Sequence, residues 1–115
     1  MIIRKDDMTM DIRHQLRGGQ CDIDITNLVP KEALHPKVRL FGKMLIEPGC
    51  SIGAHTHDTE TEFYYILSGE GVFDDNGKIS TVYAGDNTAT GGGAYHALAN
   101  KTDRPLEVLA VIVLD

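Results

Sequence analysis

Closely spaced turn signals are the feature of this chain that most restricts its fold. Asn76 and Gly77 suit the two positive-φ positions of a type I′ hairpin turn. Residues 48–49, 84–86 and 91–93 contain Pro, Gly or Asp and mark further turns or loops. The segments between these turns are short and either apolar or alternately apolar and polar, which is typical of strands. Since no segment has helical periodicity of useful length, the sequence predicts an all-β sandwich or barrel.

The chain length and the strand patterns set the size of this β structure. The 115 residues give room for one domain with one core. Val38–Ile46 has apolar side chains at its even positions, whereas residues 63–67 and Leu106–Leu114 are nearly continuous apolar runs, as expected of strands covered on both faces. Residues 21–25 alternate apolar and acidic side chains, which predicts a half-buried strand ahead of the main series.

The net charge of −6 argues against partners that need a basic protein surface. Nucleic acids and anionic membranes both need such a surface. No apolar run reaches the roughly 20 residues that span a bilayer, and residues 1–10 lack the apolar core of a signal peptide. We therefore expect a cytoplasmic protein that binds neither nucleic acid nor a membrane.

The two cysteines, Cys21 and Cys50, are too few for a disulfide framework, and neither lies in a CxxC pattern. We expect two free thiols. The alternative is that Cys50 serves as a thiolate metal ligand, because it lies close in sequence to a pair of histidines.

That pair, His55 and His57, is the first functional signal. Successive side chains of a strand point to opposite faces, so the two histidines share a face and Thr56 points away. Two imidazoles one strand repeat apart can bind one metal ion at about 2.0–2.1 Å. The pair therefore predicts part of a metal site.

Glu62 and His96 can complete this site. Glu62 lies five residues after His57, which is the wrong parity for one straight strand, so residues 58–59 must bend the chain first. His96 must arrive from another strand. Three neutral imidazoles and one carboxylate bind borderline divalent metals and leave coordination positions for water or substrate. Any one of these histidines is more simply explained as a structural or surface residue, but the four residues together favour a metal site.

The glycines around the first three of these residues carry a family resemblance. The pattern Gly49-x5-His55-x-His57-x4-Glu62-x6-Gly69 resembles the first motif of the cupin superfamily at every specified position.

A second pattern follows at the spacing typical of small microbial cupins, with residues 70–84 in between. Gly85-x5-Gly91-x-Gly93-x2-His96-x3-Asn100 resembles the second cupin motif, except that Gly91 stands where cupins usually have Pro. The resemblance extends over residues 38–114.

The resemblance implies both a fold and a ligand set. The fold would be an all-β jelly-roll barrel, or double-stranded β-helix, with a metal at its centre. The single domain 1–115 would comprise an N-terminal strand segment, 1–36, and the barrel, 37–115. By carry-over, the metal ligands would be His55, His57, Glu62 and His96. Glu60 is the one rival to Glu62, but it misfits the motif, and we expect Glu60→Gln to be nearly silent for metal binding.

The resemblance also limits the function. Manganese, iron, zinc and nickel all fit the donor set, with manganese or iron favoured. Within the superfamily the chain looks most like small relatives of the oxalate oxidase and oxalate decarboxylase group. The first hypothesis is a metalloenzyme, a possible oxidoreductase, decarboxylase or isomerase, that acts on a small oxygenated molecule such as a carboxylate. The alternative is a non-catalytic, metal-dependent module that binds or senses a small molecule.

Four further residues are candidates for substrate binding. Tyr64 lies two residues after Glu62, so it points to the same face of the strand and can form a pocket wall. Tyr95 flanks His96 and can lie at the rim. Arg39 and Lys43 could pair with a substrate carboxylate if their face is the pocket face. The alternative for these two basic residues is an exposed face or a dimer contact.

The strand at residues 63–67 also bears on assembly. A single barrel has one interior, so the outward residues Phe63, Tyr65 and Leu67 need another cover. A two-fold dimer covers such a patch with one self-complementary contact. We therefore expect a homodimer.

Overall fold

The computed structural model of the protein describes all residues, 1–115, and confirms the all-β fold. It contains ten strands and three single-turn 3₁₀ helices, at Lys5–Asp7, Leu16–Gly18 and Lys31–Ala33. The strands are β1 (Thr9–His14), β2 (Asp22–Asn27), β3 (Val38–Ile46), β4 (Ser51–Thr56), β5 (Glu60–Ser68), β6 (Glu70–Asp75), β7 (Lys78–Tyr83), β8 (Asn87–Gly91), β9 (Tyr95–Ala99) and β10 (Leu106–Leu114).

The strands form two antiparallel sheets. The larger sheet has the order β1-β2-β3-β10-β5-β8, and the smaller has the order β4-β9-β6-β7. Strands far apart in sequence, such as β3 and β10, lie side by side because the chain passes repeatedly between the sheets. This crossing pattern is that of a jelly roll.

Local sequence explains where individual strands begin and end. At the β6–β7 hairpin, Asn76 and Gly77 have φ angles of 50° and 99°, as a type I′ turn requires. The Gly77 N–H also donates to the Asp74 carboxylate at 2.8 Å. The structure gives the predicted bounds Val38–Ile46 for β3 and Leu106–Leu114 for β10.

The core lies between the two sheets and is built from the inward side chains of both. Burial alternates along β10, where Leu106, Val108 and Ala110 are fully buried. On β5, Tyr64 and Ile66 point inward and are buried.

The outer face of β5 differs from the expectation that this strand is covered on both faces. Phe63, Tyr65 and Leu67 are 39%, 45% and 41% exposed. The expectation is wrong for a single subunit, because the second face of this apolar run points away from the only core.

Residues 15–21, called the N-terminal strap below, connect β1 to β2 and pack against β4. Two glycines allow the backbones to approach closely: a Cβ added at Gly53 would collide with the carbonyl oxygen of Arg17, and one at Gly19 with that of Ser51. The Ser51 N–H donates to the Gln20 carbonyl at 3.0 Å.

A disulfide bond between Cys21 and Cys50 fixes the end of the strap. The predicted free thiols are therefore wrong, and the alternative of a Cys50 thiolate ligand is wrong as well. The two residues are 29 positions apart, and the sequence does not show that the strap brings Cys21 to the turn before β4.

Candidate metal centre

The structure brings the four sequence-predicted residues together inside the barrel. One ligand atom from each of His55, His57, Glu62 and His96 lies within 4.8 Å of the others. The His96 Nε2 is 3.1 Å from the Nε2 of both other histidines. One Glu62 oxygen is 3.0 Å from the Nε2 atoms of His57 and His96, and 3.7 Å from that of His55. Four potential ligand atoms thus surround one point.

Strand pairing and a bend produce this convergence. His55 on β4 lies directly opposite His96 on β9. Residues 58 and 59 form a bend between β4 and β5. Because of this bend Glu62 faces the interior, as its spacing from His57 required, and only 3% of its surface is exposed.

Hydrogen bonds orient two of the imidazole rings. The Nδ1–H of His55 donates to the Gly53 carbonyl at 2.7 Å. The Nδ1–H of His57 donates to the Glu60 carboxylate. Protons held on Nδ1 leave the Nε2 lone pairs directed at the centre, which is the usual arrangement of metal-binding histidines. The Nδ1 of His96 is buried and has no protein partner.

Glu60 therefore orients one of the cluster histidines, whereas the sequence led us to expect that Glu60 has little influence on metal binding. It lies on the far side of the His57 ring from the cluster, and Arg39 donates to both of its oxygens, at 3.0 and 2.7 Å. The hydrogen bond from Arg39, aided by His57, outweighs burial and lowers the pKa of Glu60. Arg39, Glu60 and His57 form a chain of charge-assisted hydrogen bonds that ends at the cluster.

The electrostatics put the cluster in a form that can bind a cation. Burial acts to raise the pKa of Glu62, but hydrogen bonds and charges from the surrounding histidines outweigh it and lower the pKa to about 2. Burial lowers the pKa of His96, although Glu62 opposes this effect. At neutral pH the carboxylate is ionised and His96 is neutral, and these are the states that ligate metals. The donor set and its protonation fit a divalent transition metal.

A cavity of about 200 Å³ opens onto the cluster. Apart from the cluster residues His55, His57 and Glu62, its lining is mostly apolar. The other lining residues are Arg13, Leu16, Arg17, Ile25, Arg39, Leu40, Met44, Ile52, Tyr64 and Ile112.

Tyr64 lines the cavity beside the cluster. Its ring stacks on that of His96, with centroids 4.8 Å apart and planes 14° from parallel. Burial, together with the nearby Glu62 charge, raises the pKa of Tyr64 well above its ordinary value. The phenol is therefore neutral across the ordinary pH range and can donate a hydrogen bond.

The other predicted substrate residues divide into one that reaches the cavity and two that do not. Arg39 lines the cavity near the start of β3. Lys43 lies outside it, with its Nζ atom 3.9 Å from Glu107 on the outer face, which corresponds to the alternative of an outward-facing residue. Tyr95 does not line the cavity either. It points away from the interior because it is adjacent to the inward His96, and its hydroxyl lies beside Gly77.

Sequence reasoning missed the cavity residues contributed by the N-terminal segment. Arg13, Leu16 and Arg17 line the cavity although they precede the barrel. Their only signals were the Gly18-Gly19 pair and Cys21, neither of which identifies β4 as the surface on which the strap packs.

Comparison with known proteins agrees with this geometry. The family model described as "Cupin domain" matches residues 42–112. The chain is 45% identical over 114 residues to a Thermotoga maritima protein named "Oxalate-binding protein", with 99% of this chain and 94% of that protein covered.

Solved structures show the same fold. A predicted oxalate decarboxylase from Thermotoga maritima superimposes with a TM-score of 0.93 at 44% identity and full coverage of both chains. A polyketide cyclase from Streptomyces resistomycificus, at 15% identity, gives a TM-score of 0.81 over 100% of this chain and 80% of that chain; this likeness concerns the fold alone. No helix of the chain is long and apolar enough to cross a membrane. Two-sheet topology, the clustered histidines and glutamate, and the family match lead to one conclusion: this chain belongs to the cupin domain family.

Proposed function

We propose that this cupin binds one divalent transition metal, most favourably manganese or iron, and uses it to bind a small carboxylate. The metal ligands are His55, His57, Glu62 and His96. The observation that carries the proposal is the convergence of their four ligand atoms within 4.8 Å at the inner end of a cavity. A divalent cation held by these four residues would offer its remaining coordination positions to carboxylate oxygens.

The size and polarity of the cavity support a small anion. A volume of about 200 Å³ equals roughly six or seven water molecules at about 30 Å³ each, and is smaller than the roughly 300–1,000 Å³ of sites for drug-sized ligands. Arg13, Arg17 and Arg39 line it, and guanidinium groups pair well with carboxylates. The name of the Thermotoga relative points to the same ligand class.

The lining favours binding over catalysis. A general base must reach the substrate and be free to take a proton. Glu62 belongs to the proposed ligand set, Glu60 is held by Arg39 and His57, and Tyr64 is neutral. We therefore favour a metal-dependent binding module over an enzyme.

Tyr64 favours a second candidate, a metalloenzyme of the decarboxylase, oxidoreductase or isomerase type. Its neutral phenol beside the cluster can hydrogen-bond to a ligand and supply a proton. A bound divalent metal would supply Lewis-acid chemistry at its open positions. In this candidate the apolar lining excludes bulk water around the reacting group.

We also propose that the chain forms a homodimer. The exposed apolar residues Phe63, Tyr65 and Leu67 on the outer face of β5 support the dimer.

Elemental analysis followed by calorimetry tests the function. Protein purified without chelator should carry one metal per chain, and oxalate should bind the loaded protein but not the chelator-treated protein. The double variant His55→Ala with His57→Ala should lose the metal. The matched control is His14→Ala with His35→Ala, since both of these histidines are exposed. Equal metal content in the two double variants would contradict the proposal.

A further inference from the structure

The cavity carries a positive charge that does not come from the barrel. Three arginines line the cavity, and one of them, Arg39, donates two hydrogen bonds to Glu60. Arg13 makes a contact of 3.9 Å with Asp11. Arg17 forms no salt bridge and no side-chain hydrogen bond. Arg17 is therefore the cation at the cavity whose charge no protein group balances.

The strap holds Arg17 in an uncommon backbone conformation. Arg17 has φ 56° and ψ 31°, in the left-handed region, which is strained for a non-glycine residue and recurs at functional sites. The neighbouring contacts impose this conformation: the Arg17 carbonyl lies against Gly53, and the Gln15 N–H donates to the Cys21 carbonyl at 2.9 Å. Arg17 and Tyr64 line the same cavity, so the Arg17 side chain borders the space in front of the cluster.

The formal charges of the loaded site favour a dianionic ligand. Arg39 and Glu60 cancel each other, and Glu62 contributes one negative charge. A divalent metal and Arg17 contribute three positive charges, so the loaded site has an excess of two. A small dianion neutralises that excess, whereas a monocarboxylate bound at the metal leaves Arg17, which is exposed at the cavity, without a carboxylate partner.

From this arrangement we propose that Arg17 is the specificity-determining residue for a small dicarboxylate, and that the Cys21–Cys50 disulfide keeps it at the cavity. The inference rests on the proposed function, because it assumes a metal at the cluster. It assigns to the N-terminal strap a direct role in ligand recognition. Arg17 pairs with a carboxylate of the bound dianion and thereby distinguishes oxalate from acetate.

Calorimetry of oxalate and acetate with the manganese-loaded protein tests the role of Arg17. Arg17→Gln should weaken oxalate binding by tenfold or more and reduce the preference for oxalate over acetate, with one metal per chain retained. Arg17→Lys should lose less, since it keeps the charge but not the two-pronged geometry. Lys43→Gln, on the outer face, is the matched control and should stay within twofold of wild type.

The outcomes separate this inference from the function on which it rests. If the wild-type protein holds no metal, or if its loaded form does not bind oxalate, the proposed function fails and the inference with it. If the wild type binds both and Arg17→Gln leaves the oxalate affinity and the oxalate preference unchanged, the inference alone is overturned. Circular dichroism and metal content establish that each variant is folded.

A variant without the disulfide tests the second half of the proposal. Cys21→Ser with Cys50→Ser should weaken oxalate binding in the wild-type background and have little further effect when combined with Arg17→Gln. The expected loss is about tenfold, with the metal retained. Equal losses in both backgrounds would show that the disulfide does not act through Arg17 and would overturn this part.

Discussion

The variant Glu60→Gln tests whether a residue outside the cluster controls its metal affinity. Glu60 accepts a hydrogen bond from the Nδ1–H of His57 and two from Arg39. A glutamine can still accept from His57 through its amide oxygen. It loses the negative charge, however, and turns its NH₂ group toward Arg39, where donor meets donor. The variant therefore weakens the hydrogen bond that orients the His57 ring, but it removes none of the four proposed metal ligands.

Known outer-shell substitutions give the expected magnitude. Loss of a partner that orients a metal-binding histidine typically costs 10–100-fold in metal affinity, or about 1.4–2.8 kcal/mol at 1.4 kcal/mol per factor of ten. We expect Glu60→Gln to reduce metal affinity by an amount in this range. The hydrogen bond to His57 persists but is weaker, because the glutamine carries no charge. Glu62→Gln should lose more, since it removes the charged oxygen inside the cluster itself.

Competition with a metal chelator measures these affinities directly. Glu32→Gln is the matched control, because Glu32 is exposed and remote from the cluster in sequence and sheet position. An affinity of Glu60→Gln within twofold of the control would refute the argument. That result would mean that the Arg39–Glu60–His57 chain is structural only.

Three further predictions concern stability and assembly. Reduction of the Cys21–Cys50 disulfide should lower the free energy of unfolding by about 3.5 kcal/mol, from loop closure across 29 residues; an unchanged denaturation midpoint with dithiothreitol would contradict this. The metal-free protein should lose stability as pH falls. Its unfolded state takes up protons first, at His96 below the ordinary pKa of 6.5 and at Glu62 between its ordinary 4.5 and about 2. Urea unfolding at pH 7, 5.5 and 4 should give decreasing free energies, and a flat profile would disagree. Light scattering should give twice the 12.6 kDa chain mass, and Tyr65→Lys should give the single mass; a wild-type monomer would rule out the dimer.

Local pattern was enough to predict the barrel and the residues that converge inside it. Turn residues such as Asn76 and Gly77 act through their own φ angles, so a short stretch of sequence specifies a hairpin. Alternation along a strand likewise placed His55 and His57 on one face, and the odd spacing between His57 and Glu62 showed that the chain must bend between them. These features are local, or they recur in a motif, and the structure shows the predicted bend between β4 and β5.

The features that escaped prediction all depend on which distant segments meet. The Cys21–Cys50 bond, the approach of Arg17 to Gly53, and the pairing of Arg39 with Glu60 each join residues at least 21 positions apart. Because they are four residues apart in one strand, Arg39 and Lys43 were expected on the same face of β3. Only the three-dimensional structure shows that Arg39, near the strand end, reaches the cavity edge, whereas Lys43 faces Glu107.

An anomalous-scattering map from crystals of protein purified without chelator would locate a metal bound at the cluster. We expect one strong peak between the Nε2 atoms of His55, His57 and His96 and the carboxylate of Glu62, at about 2.0–2.3 Å from each. The absorption edge of the same crystal would identify the metal. Anomalous density confined to exposed histidines such as His14 and His35, with none at the four-residue cluster, would contradict the account.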